Sequence, residues 1–302
     1  MAGLHIDYRP QGFDEVIGNE ATVKSLQAIF TRDETPHAFL FTGPSGCGKT
    51  TFGRLVKDML ECSNEDFLEI NAADTRGIDT AREIISTCHY MPINGKVRVI
   101  LIDECHQGTQ QFLSALLKPL EDTPDHVYFI LCTTDPQKLL KTIKTRCTTF
   151  EVEKLNDDQM TELINWVCEC EETEMPDEVV EQIIDISDGC PREALVTLDQ
   201  VISLKPSEML DAAKGLVVDK QKVIDLCRAV IAKESWKKIM KIYNGLDDDP
   251  ERIRRAILGY FDGALRKQAN DRFAAIINIF EDQGVWTAGR PALTRMIYDA
   301  TQ

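Results

Sequence analysis

Short apolar runs separated by longer amphipathic stretches organise the first half of the chain. Runs with strand character lie at 38–42, 67–71, 97–102 and 127–132, and the segments between them are long enough for crossover helices. Strands that alternate with helices in this way predict an α/β domain whose parallel sheet is covered on both faces. We expect this domain to span residues 1–154.

After Phe150 the strand-like runs stop and helical patterns follow. Asn156 and Gln159 have the spacing of a reciprocal helix cap, which marks the start of a helix. Amphipathic stretches recur in the last hundred residues, around 224–231, 236–243, 253–265 and 273–280. The sequence therefore predicts a helical lid over residues 155–218 and an all-helical collar over residues 219–302.

Composition and charge leave nucleic-acid binding open. The 302 residues are 43% hydrophobic and 28% charged, which is ordinary for a globular protein of two or three domains. The net charge is −16, but residues 151–200 alone carry 16 acidic and 2 basic residues. Because the acid is concentrated there, a local basic groove on the first domain is compatible with the overall charge.

Cysteine spacing and the apolar stretches indicate an intracellular protein. The ten cysteines are scattered and only Cys168 and Cys170 lie close together, so we expect reduced thiols and no zinc site. The first ten residues lack a basic start and an apolar core, and no apolar run approaches the ~20 residues of a membrane span. We expect no membrane partner and a location in the cytoplasm, a host cytoplasm if viral, or the nucleus if eukaryotic.

Residues 43–50 read Gly-Pro-Ser-Gly-Cys-Gly-Lys-Thr and match the phosphate-binding loop. In such loops backbone amides wrap the phosphates, the lysine reaches the outer phosphates and the hydroxyl ligates magnesium. The alternative is a glycine-rich turn that happens to contain Lys-Thr, and the predicted strand before it and helix after it argue against that. The residues expected to bind nucleotide here are Gly43, Ser45, Gly46, Cys47, Gly48, Lys49, Thr50 and Thr51.

Two carboxylates follow the apolar run that ends at residue 102. Asp103 and Glu104 would emerge at the carboxyl end of a buried strand, where open parallel sheets bind their ligands. In P-loop enzymes an acid in this place organises the metal ion. We therefore expect Thr50 and Asp103 to hold Mg²⁺ and Glu104 to polarise the attacking water; the alternative is a pair of solvated acids.

The box Asp-Glu-Cys-His at 103–106 resembles the D-E-x-H/D box of AAA+ ATPases, and further stretches resemble the sliding-clamp loaders of replication. Residues 8–18 are similar to the N-terminal box of those subunits, and residues 71–79 to the start of a DNA-facing helix in replication factor C small subunits. The remaining similar stretches are 114–121 and 132–139, closer to bacterial tau/gamma, and 144–147, like the S-R-C motif.

Two features depart from the resemblance, which covers about residues 5 to 200. The cysteine-rich zinc module that follows the phosphate-loop helix in bacterial tau/gamma is missing from the sequence. His106 replaces the aspartate common in the eukaryotic and archaeal box, and we expect His106 and His89 to be surface or satisfied histidines.

The resemblance implies roles for residues outside the phosphate loop. Thr134 matches the polar sensor that orients water or the γ-phosphate, Arg146 the arginine finger donated to a neighbouring subunit, and Arg192 the second sensor. The plainer alternatives are a strand-end threonine, a surface arginine and a helix-capping arginine. The residues that would line the adenine pocket are Tyr8, Arg9 and Ile17.

The resemblance also implies macromolecular partners. Tyr90 and Met91 would form an apolar tip that presses against the sliding clamp, with burial in the domain's own core as the alternative. A helix starting near Ile78 and carrying Arg82, and a second helix carrying Lys118, would meet the phosphates of primer-template DNA. The alternative for both charges is an ordinary solvated helix face.

The resemblance therefore implies an ATPase subunit of a clamp loader, which works with other subunits in a ring of about five. ATP and Mg²⁺ are the implied ligands. The first rival is another AAA+ DNA motor such as a branch-migration helicase, which shares the nucleotide site but predicts ATP-driven strand displacement. The second is a non-hydrolysing scaffold, and Lys49, Asp103, Glu104 and Arg146 argue against it because a scaffold has no need of all four.

Overall fold

The computed structural model describes residues 3–32, 34–75, 77–215, 220–246, 250–267, 270–281 and 289–301. The chain divides into two units, Met1–Leu210 and Asp211–Gln302. The three-domain division at residues 154 and 218 stays a prediction, and the second of those boundaries lies outside the described residues.

A five-stranded parallel sheet lies at the centre of the first unit. Its strands are β1 (Ala38–Thr42), β2 (Phe67–Asn71), β3 (Arg98–Asp103), β4 (Val127–Thr133) and β5 (Thr148–Glu151), in the order β2-β3-β4-β1-β5. In the register, Thr42 pairs with Thr133 and Asn71 with Asp103. The predicted α/β fold with a parallel sheet is confirmed, and the carboxyl ends of the central strands form one edge on which a site can be built.

Helices cover both faces of this sheet because its central strands are apolar on both sides. The helices of the first unit are α1 (Leu4–Asp7), α2 (Glu20–Phe30), α3 (Lys49–Met59), α4 (Ile78–Cys88), α5 (Gln110–Glu121), α6 (Lys141–Lys144), α7 (Asp157–Cys170), α8 (Asp177–Ser187) and α9 (Pro191–Val201). Helix α10 (Pro206–Gly215) begins in the first unit, and its residues after Leu210 belong to the second.

The two faces of the sheet pack against different helices. Leu40 and Ile100 lie in one buried cluster with residues of α4 and α5, whereas Phe41 and Leu101 lie in a second cluster with residues of α2 and α3. Complete burial of an apolar side chain of this size contributes roughly 1.5 to 3 kcal/mol. The sheet is therefore held rigidly from both sides, and so are the loops at its carboxyl edge.

The helices that follow β5 begin and end at residues that the sequence predicts as helix boundaries. The Asn156 side chain accepts a hydrogen bond from the Gln159 amide at 2.9 Å, and the Gln159 side chain accepts one from the Asn156 amide at 3.1 Å, so the predicted reciprocal cap of α7 is confirmed. Helix α8 ends at Ser187, and the two residues after it, Asp188 and Gly189, have left-handed φ values of 47° and 73°. Pro191 begins α9 with the φ that a first helical turn needs.

The described part of the second unit is helical. Its helices are α11 (Lys220–Ile231), α12 (Trp236–Tyr243), α13 (Pro250–Lys267), α14 (Asp271–Glu281) and α15 (Arg290–Thr301). Their apolar faces meet in one core that includes Leu226, Tyr243, Phe261 and Phe280. Among the described residues, no helix is long and apolar enough to cross a membrane.

Candidate nucleotide-binding site

The loop between β1 and α3 follows a path that requires glycine. Gly46 and Gly48 have φ values of 75° and 101°, which L side chains rarely adopt. A Cβ on Gly46 would also lie 2.4 Å from the Cys190 sulfur, whereas a Cβ on Gly48 would meet nothing within 4 Å. The amides of this loop and the N-terminus of α3 are thus left open to an anion, as phosphate binding needs.

The first two residues of α3 present a cation and a hydroxyl beside this loop. Lys49 is buried, and its Nζ donates to the Pro44 carbonyl at 2.7 Å. The Thr50 hydroxyl donates to Asp103 Oδ2 at 2.8 Å, and Asp103 Oδ1 accepts from the Glu104 amide at 2.9 Å. A hydroxyl and a carboxylate that meet in this way are the hard oxygen ligands that Mg²⁺ prefers, so these residues fit the predicted metal.

Glu104 is held by the neighbouring strand. Its φ of 46° is a left-handed conformation, which costs energy for a residue with a side chain. The Thr134 hydroxyl donates to Glu104 Oε2 at 3.1 Å, and His106 Nδ1 lies 3.4 Å from the same oxygen and 3.0 Å from Thr133 Oγ1. Burial lowers the pKa of His106, so its neutral form is present at pH 7.

The predicted sensor Thr134 therefore contacts the predicted base directly. His106 is a satisfied histidine, one of the two expectations for it, but its partners make it part of the site rather than of the general surface. Sequence reasoning missed this role, and the only available signal was the position of His106 inside the box at 103–106.

Two neighbouring cavities open on the loop and collect most of the predicted nucleotide residues. One cavity brings the predicted adenine residues together with Trp166 of α7, and the other brings the predicted metal and phosphate residues together with Glu104. The predicted residues that line one or both cavities are Tyr8, Arg9, Ile17, Ser45, Gly46, Cys47, Gly48, Lys49, Thr50, Thr51, Asp103, Glu104 and Arg192. Gly43, Thr134 and Arg146 line neither.

Gly43 has a structural reason for being glycine. Its φ is 147°, and a Cβ there would lie 2.0 Å from the Val152 carbonyl oxygen. The end of β1 thus approaches the chain that follows β5 too closely for any side chain. Gly43 shapes the start of the loop without lining either cavity.

Tyr8 joins the N-terminal segment to the lid. Its ring packs edge-on against Trp166 with the ring centroids 5.5 Å apart, and its hydroxyl donates to Glu171 Oε1 at 2.6 Å. The hydrogen bond to Glu171 and burial raise the pKa of Tyr8 to about 12. Sequence reasoning found Tyr8 but missed Trp166 and Glu171, because these partners lie more than 150 residues away along the chain.

Guanidinium groups concentrate positive charge at the cavities. Burial lowers the pKa of Arg9, and the nearby charges of Arg54 and Arg192 lower it further. Cations that repel one another in this way are stabilised by a polyanion between them. The position of Arg192 at the start of α9 therefore suits a sensor of bound phosphate.

Relatives of known identity place the chain in a family. The DNA polymerase III subunit gamma of Buchnera aphidicola is 30% identical over 260 residues, which cover 78% of this chain and 72% of that protein. The chain belongs to the DNA polymerase III gamma/tau family. The family resemblance predicted from the motifs is confirmed.

Other relatives extend the match within the gamma/tau family. Subunit gamma/tau of Mycobacterium tuberculosis H37Rv is 30% identical over 322 residues, covering 97% of this chain and 54% of that protein. The chain thus spans about half the length of the mycobacterial relatives. Residues 56–156 also match the family model for the DNA polymerase III delta subunit.

Solved structures confirm the fold of this gamma/tau family member. The Thermotoga maritima RuvB Holliday junction branch migration motor is similar with a TM-score of 0.61 and 22% identity, covering 74% of this chain and 79% of that one. At this identity the likeness shows the AAA+ fold alone.

In this gamma/tau family member, Arg146 lies away from its own nucleotide cavities. Its Nη2 donates to Glu121 Oε2 at 2.6 Å and its Nη1 donates to the Thr142 carbonyl at 2.9 Å. Its Nε is buried and has no hydrogen-bond partner among the described residues. The residue is thus fixed by α5 and α6, and Glu121 is a partner that sequence reasoning missed.

An apolar tip projects from the loop between α4 and β3. Tyr90, Met91 and Ile93 are 64%, 70% and 72% exposed. The alternative that Tyr90 and Met91 are buried in the domain's own core is wrong. Ile93 extends the exposed apolar surface beyond the two predicted residues.

The backbone of this tip is held by a buried carboxylate. Asp66 accepts hydrogen bonds from the amides of Ile93 at 2.6 Å, Asn94 at 3.0 Å and Gly95 at 3.2 Å. Arg98 donates to Asp66 Oδ1 at 3.3 Å. The loop between α4 and β3 is therefore held in a defined conformation by charge-assisted hydrogen bonds.

The predicted DNA-binding charges lie on two helices that pack together. Arg82 on α4 is exposed and donates to Asp79 Oδ1 at 2.9 Å, and Lys118 on α5 is exposed. Ile78 is the first residue of α4 and packs against the core below the sheet. Both charged side chains are accessible to solvent, and their contact with DNA stays a prediction.

Proposed function

We propose that this chain is an ATP-hydrolysing subunit of a DNA polymerase sliding-clamp loader. One observation carries the proposal: the Thr50–Asp103 pair and the Thr134–Glu104 pair meet beside the phosphate loop, so a metal site and a water-activating carboxylate share one cavity edge. Membership of the gamma/tau family supports the link to clamp loading. In a closed ring, about five subunits of this kind would act together.

The chemistry is phosphoryl transfer to water. The loop amides and Lys49 bind the phosphates, and Mg²⁺, held by Thr50 and Asp103, would supply charge neutralisation. Glu104 polarises the attacking water, and Thr134 keeps the carboxylate in place. Positioning and fixed charges carry most of the catalysis in such a site.

The second half of the site comes from a neighbouring subunit. Arg146 is held by hydrogen bonds to residues of α5 and α6, and it lines neither cavity of its own chain. A guanidinium presented outside its own site suits an arginine finger that acts in trans. Turnover then requires assembly, which couples hydrolysis to the ring.

Binding and release follow from this arrangement. ATP at the subunit interfaces assembles the ring on the clamp, which the tip formed by Tyr90, Met91 and Ile93 contacts, and on primer-template DNA, which Arg82 and Lys118 contact. Hydrolysis removes the γ-phosphate that joins neighbouring subunits. The closed clamp then stays on DNA.

The test is ATP turnover by the chain co-purified with its partner subunits, measured with and without clamp and primer-template DNA. We expect clamp plus DNA to stimulate turnover, Lys49→Ala to abolish nucleotide binding, and the exposed-lysine control Lys24→Ala to behave as wild type. ATP-driven strand displacement without a clamp effect would support a branch-migration motor instead. Tight ATP binding without turnover would support a scaffold.

A further inference from the structure

Two thiols meet between the phosphate loop and the lid. Cys47 is buried in the loop, and Cys190 is partly exposed directly before α9. Both sulfur atoms lie against the same oxygen, the Ser45 carbonyl, at 3.7 Å from Cys47 Sγ and 3.5 Å from Cys190 Sγ. Residues from distant parts of the sequence are thus brought side by side.

The main chains that carry these thiols are also in contact. The Arg192 amide donates to the Gly46 carbonyl at 3.4 Å. A Cβ on Gly46, the neighbour of Cys47, would lie 2.4 Å from Cys190 Sγ. The two segments that carry Cys47 and Cys190 are therefore packed directly against each other, as a disulfide between them needs.

The two thiols differ in reactivity. A hydrogen bond from Cys47 and the amides of Glu193 and Arg192 at the start of α9 lower the pKa of Cys190 to about 6, against the effect of burial. The hydrogen bond to Cys190 and burial raise the pKa of Cys47. Of the two thiols, Cys190 is therefore the one that ionises more readily and can act as the nucleophile, and Cys47 is the one that keeps its proton.

We propose that Cys190 is a modification site for low-molecular-weight disulfides of the glutathione class and that Cys47 converts the adduct into a Cys47–Cys190 disulfide. In the first step the Cys190 thiolate attacks one sulfur of the small disulfide, forms a mixed disulfide and releases one small thiolate. That thiolate takes the Cys47 proton. Cys47 then attacks Cys190 Sγ and expels the second small thiolate. The second small thiolate takes its proton from water. Starting from the Cys190 thiolate and the Cys47 thiol, the pair gives up two electrons and one proton, and the small disulfide is reduced to two thiols.

The disulfide joins the phosphate loop to the helix that carries Arg192. Hydrogen bonds hold these two segments together in the reduced protein, and we expect the segments to separate as nucleotide enters and leaves. A covalent link prevents that separation, so oxidation stops ATP turnover. This consequence rests on the proposed function, whereas the covalent chemistry does not.

The covalent step is tested on the reduced full-length chain with oxidised glutathione, followed by intact mass and peptide mapping. Wild type should lose the mass of two hydrogens and yield a linked Cys47–Cys190 peptide. Cys47→Ser should stop at a glutathionyl group on Cys190, and Cys190→Ser should form no internal disulfide. The exposed-thiol control Cys170→Ser should form it as wild type does.

Two outcomes would overturn the assignment. One is complete modification of Cys170 while Cys190 stays free, and the other is a Cys190 adduct in wild type that never passes to Cys47. Turnover of oxidised relative to reduced protein gives the functional readout: loss in wild type, recovery with dithiothreitol and no loss in Cys190→Ser. Full ATP turnover by the cross-linked protein would refute the regulation of turnover by this disulfide. If the reduced protein shows no turnover, the proposed function is refuted, and the intact masses still decide whether the thiol chemistry occurs.

Discussion

Glu104 shows how the fold can hold one carboxylate in a fixed position at the edge of the sheet. Its backbone is left-handed, with a φ of 46°, and its carboxylate contacts Thr134, directly after β4, and His106, in the turn that follows β3. The energy that this conformation costs is offset by the surrounding hydrogen bonds and the buried strands. A carboxylate with so few alternative positions is suited to orient one water.

Glu104→Gln should therefore bind ATP with near-normal affinity and hydrolyse it slowly. The amide keeps the size and the hydrogen bond from Thr134 but cannot accept a proton, so we expect turnover to fall by about 10² to 10⁴. The measurement is single-turnover hydrolysis beside nucleotide binding by fluorescence. The control is Glu162→Gln on the exposed face of α7, and near-normal turnover by Glu104→Gln would remove its assignment as the base.

Local sequence was enough to predict the residues whose chemistry is contiguous. Lys49, Thr50 and Asp103 follow from one loop and one strand end, and the structure brings them together. The contacts of Cys190 with the loop and of Glu121 with Arg146 were not predictable, because each joins segments that are distant in sequence. Such pairs are decided by how the helices pack on the sheet.

The loop between α4 and β3 is an element whose shape depends on buried charge rather than on regular structure. Asp66 precedes β2 and Arg98 begins β3, so neighbouring strands bring the pair together below the apolar tip. Arg98 also donates to the carbonyls of Thr87 at 2.7 Å and Met91 at 3.3 Å. The tip is thereby presented in one conformation, which lowers the entropy cost of docking.

Asp66→Asn should destabilise the first unit and loosen this tip. Removing one charge of a buried pair costs about 3 to 5 kcal/mol, because Arg98 is left without its counter-ion. We expect a lower free energy of unfolding in urea at pH 7 and faster hydrogen exchange at the amides of Ile93, Asn94 and Gly95. Asp158→Asn, an exposed aspartate on α7, is the control.

The same variant tests a pH dependence. Burial would raise the pKa of Asp66, but the hydrogen bonds from Ile93, Asn94, Ser63 and Arg98 outweigh it and hold the pKa well below its ordinary value. The unfolded chain therefore binds this proton more readily, so the stabilisation is complete above about pH 5 and is lost as the pH falls. The free energy of unfolding of the wild type should fall toward low pH more steeply than that of Asp66→Asn. Equal slopes of this free energy against pH would contradict the stabilising role of the Asp66 carboxylate.

Strands were predictable where several apolar residues stand together in the sequence. Strand β1, buried along its whole length, and the edge strand β2, which has three apolar residues among five, both have the predicted bounds. Strand β5 was not predicted, because Phe150 is the one apolar residue among its four. A single apolar residue leaves no periodic pattern in the sequence.

In the proposed ring, a neighbouring subunit would complete the site, because Arg146 lines neither cavity of its own chain. An arginine finger contributes about 10³ to 10⁵ to the rate in related phosphoryl transfers. Arg146→Ala should therefore lose turnover and keep ATP binding, whereas Arg32→Ala at the exposed end of α2 should change neither. Mixing Arg146→Ala with Lys49→Ala subunits should restore part of the turnover at mixed interfaces; activity of Arg146→Ala alone would refute the role.

An acidic protein can hold DNA if a few cations are repeated around one duplex. The side chain of Arg82 is 70% exposed and that of its partner Asp79 is 85% exposed, so this ion pair is easily exchanged for a phosphate. Because a loader accepts any primer-template junction, we expect contacts to phosphates rather than to base edges. Arg82→Ala with Lys118→Ala should weaken DNA binding evenly across sequences and reduce the slope of log affinity against log salt by about 0.9 per lost duplex contact. Fluorescence anisotropy over a salt series measures this against the control Lys24→Ala with Arg32→Ala. An unchanged affinity and slope in an assembled ring would show that DNA binds elsewhere.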